Sequence, residues 1–92
     1  MDRTTVQEIL DGAAGMKPGD DGYTVEDEHL ASIYLANRGS ATVLSELVRI
    51  KLADTWIEAE AKDRTLHYAT YEPVTAISIR RPRDPDKQRT GF

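Results

Sequence analysis

No cysteine occurs anywhere in this chain. That removes disulfide staples, thiolate nucleophiles and Cys-based zinc sites in one step, and it is compatible with a reducing compartment. Aromatic residues are scarce too: one tryptophan, one phenylalanine and four tyrosines. The direction in which Trp56 points therefore carries unusual weight. No apolar run approaches the roughly 20 residues of a membrane span, and the first 25 residues lack the apolar core that a signal peptide needs. The expectation is a cytoplasmic protein. Basic residues are outnumbered, 12 Lys and Arg against 16 Asp and Glu, for a formal net charge of −4. That balance argues against a protein whose main task is neutralising phosphates, though a local basic strip remains compatible with it.

Catalytic and cofactor signatures are also missing. There is no Gly-rich phosphate loop after a strand, no G-x-S-x-G and no H-E-x-x-H. Asp20-Asp21-Gly22 lacks the alternating ligand spacing and distal Glu of a calcium loop. The expectation is a protein without enzyme activity, cofactor or metal. With 92 residues and 39% hydrophobic content, the chain has the size of one small domain with one core. A single α+β domain over 1–80 is expected. After it, 81–92 is expected to be a flexible charged tail, and Arg80 at the end of the domain, with Arg81 and Arg83, leads the one basic cluster. Asp84 and Asp86 dilute that cluster, so the plain reading is a solvated end and the functional one a contact with nucleic acid or an acidic partner.

Thr5-Val6-Gln7-Glu8 has the form of a helix capping box, and Val6, Ile9 and Leu10 follow on one helical face before Gly12. A short first helix is expected. Residues 12–22 gather four glycines and a proline and read as a loop. Thr24 to Asp27 repeats the capping pattern, with Leu30, Ile33, Tyr34 and Asn37 at helical spacing and Gly39 as a left-handed cap. This predicts a second helix over 25–38. The competing reading is a strand over Leu30 to Ala36 turning at Asn37-Arg38-Gly39.

Beyond Gly39 the period becomes two. Ala41 to Glu46 reads as a short strand, and Val48, Ile50 and Leu52 alternate with Arg49 and Lys51. If Asp54-Thr55 is the turn, Leu52 faces Ile57, Lys51 faces Glu58, Ile50 faces Ala59 and Arg49 faces Glu60. Apolar then meets apolar and both cations meet anions, at about 0.2–1 kcal/mol per pair. A four-residue loop over Lys62 to Thr65 continues the pairing: Ala61 with Leu66, Glu60 with His67, Ala59 with Tyr68, and Trp56 with Tyr71. One face then carries Val48, Ile50, Leu52, Ile57, Ala59, Ala61, Leu66 and Tyr68 as the core. Pro73 interrupts the ladder, and a last strand runs Val74 to Arg80. The expected architecture is α+β: two short N-terminal helices and a four- to five-strand antiparallel meander, as an open sheet or a small bent barrel.

The opposite face supplies the candidate site: Trp56 and Tyr71, ringed by Arg49, Lys51 and His67. Aromatics set among charges are the composition of binding hot spots and of base-stacking platforms, although two such rings can simply pack on each other. His67 opposite Glu60 has the makings of an acid–base pair or half a metal site, but no third ligand accompanies it. The expected function is a protein-binding module, a small acidic adaptor, regulator or assembly subunit, and free strand edges make a homodimer reasonable. The alternative is nucleic-acid binding. A short helix, the segment Ser32-Ile33-Tyr34-Leu35-Ala36-Asn37 and bent strands ending in a tyrosine resemble the Sm-like RNA-binding barrels. This resemblance implies an RNA- or DNA-binding small β-barrel using the same aromatics and basic residues. It requires residues 30–36 to be a strand, and Tyr71-Glu72-Pro73 stands where that family carries Tyr-Lys-His.

Overall fold

The computed structural model describes residues 1–81. Arg83, and with it most of the expected charged tail, lies outside the described residues. The first element is a helix, α1 (Arg3–Gly12), which buries Val6 and Leu10. It begins earlier than the Thr5 capping box implied: Asp2 is the cap, and its Oδ1 accepts from the Thr5 amide at 2.8 Å. That bond holds the Asp2 carboxyl below the usual carboxylate range.

Two departures from expectation follow, both toward strand. Residues 12–22 contain most of a hairpin, β1 (Met16–Gly19) and β2 (Gly22–Val25), closed by Gly19 facing Gly22 across Asp20-Asp21. Where a second helix was expected over 25–38, the chain forms β3 (Leu30–Asn37). The reason is tertiary. Ala31 and Ile33 are fully buried and alternate with outward Ser32 and Tyr34, because β3 has a hydrogen-bonded neighbour on each side. The competing strand reading is the one realised. Arg38 (φ 42°) and Gly39 (φ 85°) both sit in the left-handed region and join β3 to the next strand in a two-residue turn of the type I′ kind.

That next strand, β4 (Ser40–Leu52), is continuous where two pieces had been read. Glu46 adopts φ 55°, and the registers against both neighbours slip near Leu47. The irregularity bends the strand, so its first half pairs with β3 and its second half with β2 and with β5 (Trp56–Ala61). It also brings Leu47, rather than Val48, fully into the core. β6 (Leu66–Thr70) pairs with β5, and β7 (Val74–Arg80) pairs with β3, the latter with the bounds the sequence implied. The result is a curled antiparallel half-barrel with one short helix.

The core lies inside the curl, where Val6 and Leu10 of α1 join Ile33, Leu47, Ile50, Ile57, Tyr71 and Val74. The amino group of Met1 donates to the carbonyls of Tyr71 (3.1 Å) and Val74 (2.8 Å), tying the start of the chain to the β6–β7 connection. No helix among the described residues is long and apolar enough to cross a membrane.

Candidate functional site

The first hairpin of the expected site forms in the register read from sequence. Arg49 faces Glu60, Ile50 faces Ala59, Lys51 faces Glu58 and Leu52 faces Ile57. Arg49 and Glu60 close an ion pair at 2.9 Å on the solvent side of the sheet. Trp56 leaves the turn on that same side and is 40% exposed.

The second hairpin is shifted by one residue from expectation. Trp56 faces Thr70, Glu58 faces Tyr68, Ala59 faces His67 and Glu60 faces Leu66. The loop is the cause. Ala61 donates its N–H to the Thr65 carbonyl at 2.8 Å, so Ala61 and Thr65 close a three-residue loop, Lys62-Asp63-Arg64, instead of a four-residue one. Arg64 takes φ 75° to make that loop work, and Asp63 Oδ1 accepts from the Thr65 amide at 3.0 Å. The donated bond lowers the Asp63 pKa.

One residue of shift exchanges the faces of β6. Tyr68 and Leu66, expected in the core, stand on the outer surface at 60% and 45% exposure. Tyr71, expected beside Trp56, is buried at 7% exposure with its hydroxyl donating to the Ala53 carbonyl. Burial raises its pKa. His67 turns to the inner side opposite Ala59 and is half-buried, so the Glu60–His67 pair does not form. Of the expected site residues, the fold brings together Trp56, Arg49 and Lys51, and sets Tyr71 and His67 apart from them. Arg80 ends β7, and it and Arg81 are exposed.

Tyr68 takes the place that Tyr71 was expected to fill. Its ring meets Trp56 edge-on, with centroids 5.6 Å apart and planes at 60°. The outer face of β4, β5 and β6 thus presents Trp56, Tyr68 and Leu66 beside two facing cation–anion positions. Charge across it is balanced, which gives the face no net attraction for a polyanion. The signal for Tyr68 lay in Asp63-Arg64-Thr65, where an Asp side chain can close a tight loop on the amide two residues on. The glycine that usually marks such a left-handed position is absent.

Among the described residues no group of three or more His, Asp or Glu side chains could hold a metal ion. The chain matches no family model, no curated protein and no solved structure.

Proposed function

We propose that this protein is a non-enzymatic protein-binding module, an adaptor, regulator or assembly subunit, that captures its partner on the outer face of β4–β6. The observation that carries this reading is the Trp56–Tyr68 pair, two large rings in contact with each other and still 40% and 60% exposed. Rings that packed only for stability would gain from being covered, whereas rigid half-exposed aromatics offer contact area at small entropic cost. Leu66 extends the apolar centre, and Arg49, Lys51, Glu58 and Glu60 form a polar rim of both signs. The same balance counts against the nucleic-acid alternative, in which Arg49 and Lys51 would have to work beside carboxylates.

The test is selection of peptide ligands against the wild-type domain, followed by affinity measurement on Trp56→Ala and Tyr68→Ala. Each variant should bind at least about tenfold more weakly. Val43→Ala, on an exposed position of β4 outside this patch, should bind like wild type. Equal affinity for all three variants removes the reading. Binding to a single-stranded homopolymer that falls steeply with salt would favour nucleic acid instead.

A further inference from the structure

Among the described residues, three strands of the sheet have one edge with no neighbouring strand: β1, β6 and β7. Exposed edges invite pairing with other chains, and proteins blunt them with proline, charge or a bulge. β1 carries Lys17 and Pro18. β7 has its Val74 carbonyl occupied by the Met1 amine and ends in Arg80. β6 has no such device. Its sequence, Leu66-His67-Tyr68-Ala69-Thr70, contains no Lys, Arg, Asp, Glu or Pro, and its pairing with β5 runs without a bulge.

The open groups on that edge can be named. The Ala61–Thr65 hydrogen bond fixes the alternation, so residues 65, 67 and 69 turn their backbone groups to β5. Leu66, Tyr68 and Thr70 therefore direct N–H and C=O to the open edge. We propose that β6 pairs antiparallel with β6 of a second copy of this chain, about a two-fold axis through Tyr68. Each of the three residues then donates one hydrogen bond and accepts one, with Tyr68 opposite its own counterpart and Leu66 opposite Thr70.

Self-complementarity is what selects a second copy as the occupant. No like charges meet in this register. Beyond the strand ends it brings the exposed Arg64 loop of one copy toward the exposed Glu72 of the other. On the outer face the two Tyr68 rings meet, each backed by its own Trp56, and the aromatic patch becomes continuous across the pair. This goes beyond the partner reading above: the edge specifies the second copy, whether or not the aromatic face also captures another protein.

Sedimentation velocity over a concentration series tests it. Wild type should show a reversible monomer–dimer equilibrium. Thr70→Pro removes an edge donor without removing one from the β5–β6 ladder, and it should weaken dimerisation by about thirtyfold or more. In this cysteine-free chain, Tyr68→Cys should cross-link into a disulfide dimer on mild oxidation, because the Cα atoms of such a pair lie about 5.5 Å apart. Ala76→Cys on β7 should remain monomeric. If Thr70→Pro loses its circular-dichroism signature, the cross-linking pair decides alone. A wild-type chain that stays monomeric throughout, or a dimer that cross-links as well through Ala76→Cys as through Tyr68→Cys, overturns the proposal. Trp56→Ala should still dimerise, so loss of peptide binding and loss of the dimer are separable results.

Discussion

The indole of Trp56 meets the ring of Tyr68 edge-on at 5.6 Å, whereas Tyr71 points into the core and donates to the Ala53 carbonyl. The two tyrosines therefore do different work. Tyr71→Ala should lose about 3 kcal/mol or more in urea unfolding, since it empties a buried aromatic site and frees a carbonyl. Tyr68→Ala should lose about 1 kcal/mol or less, the scale of an exposed aromatic pair. Tryptophan emission checks the same division. Trp56 should emit red-shifted and be readily quenched by acrylamide, and Tyr68→Ala should make it more accessible.

The loop that places Tyr68 contains a residue poorly suited to its backbone. Arg64 is held at φ 75°, where a side chain costs about 1 kcal/mol and glycine costs nothing. Arg64→Gly should therefore raise stability by about 0.5–1 kcal/mol, read as a higher urea midpoint at unchanged slope. If the loop were four residues long with Arg64 in an ordinary conformation, the same change would lower the midpoint.

That loop also explains what was legible in the sequence. The β4–β5 register could be read because charge and apolarity both demanded it: Arg49 and Lys51 have acidic partners in only one alignment. β6 offered no such check. His67 is its one titratable residue besides Tyr68, and Leu66 and Tyr68 suit a core or a surface equally, so loop length alone decided the faces. Over residues 30–37 the error had another source. Leu30, Ile33, Tyr34 and Asn37 fall at helical spacing, but pairing with β4 and β7 on either side fixes the segment as a strand, whose inward positions Ala31 and Ile33 join the core. Tertiary pairing overrode a local pattern that held nothing against it. Within the site, Trp56, Arg49 and Lys51 were found by parity from a well-determined hairpin, and Tyr68 was missed by the same parity carried through a poorly marked loop.

Gly22 stands at the start of β2 with φ 128°, and a Cβ built there would lie 2.6 Å from the Ile50 carbonyl oxygen and 2.9 Å from the Lys51 Cα. Both obstacles are backbone of β4, which cannot retreat without breaking the β2–β4 pairing. Gly22→Ala should therefore destabilise by about 2 kcal/mol or more, combining left-handed strain with overlap. Gly12, at the end of α1, has nothing within 4 Å of its added Cβ. Gly12→Ala should be neutral or raise the thermal midpoint slightly through helix propensity. Melting curves of the two variants distinguish a glycine required by close approach from one that is dispensable.

Alkaline unfolding should report on Tyr23. Its hydroxyl donates to Asp11 Oδ1 at 2.6 Å, joining the β1–β2 hairpin to α1. Burial, reinforced by the Asp11 carboxylate that accepts this bond, pushes its pKa up to about 12 from an ordinary value of 10.0. The native state thus holds this proton more tightly than the unfolded chain does. Its contribution to stability is complete below pH 10, falls as the unfolded tyrosine ionises, and is gone once the pH passes about 12. Tyr71, raised by burial, adds a limb of the same sign. Urea titrations between neutral pH and pH 12 should show a plateau followed by a decline. Tyr23→Phe should cost about 1–2 kcal/mol at neutral pH through the lost charge-assisted bond, and should flatten the decline to the part that Tyr71 supplies. A variant as pH-sensitive as wild type would place the alkaline transition elsewhere than at the junction of helix and hairpin.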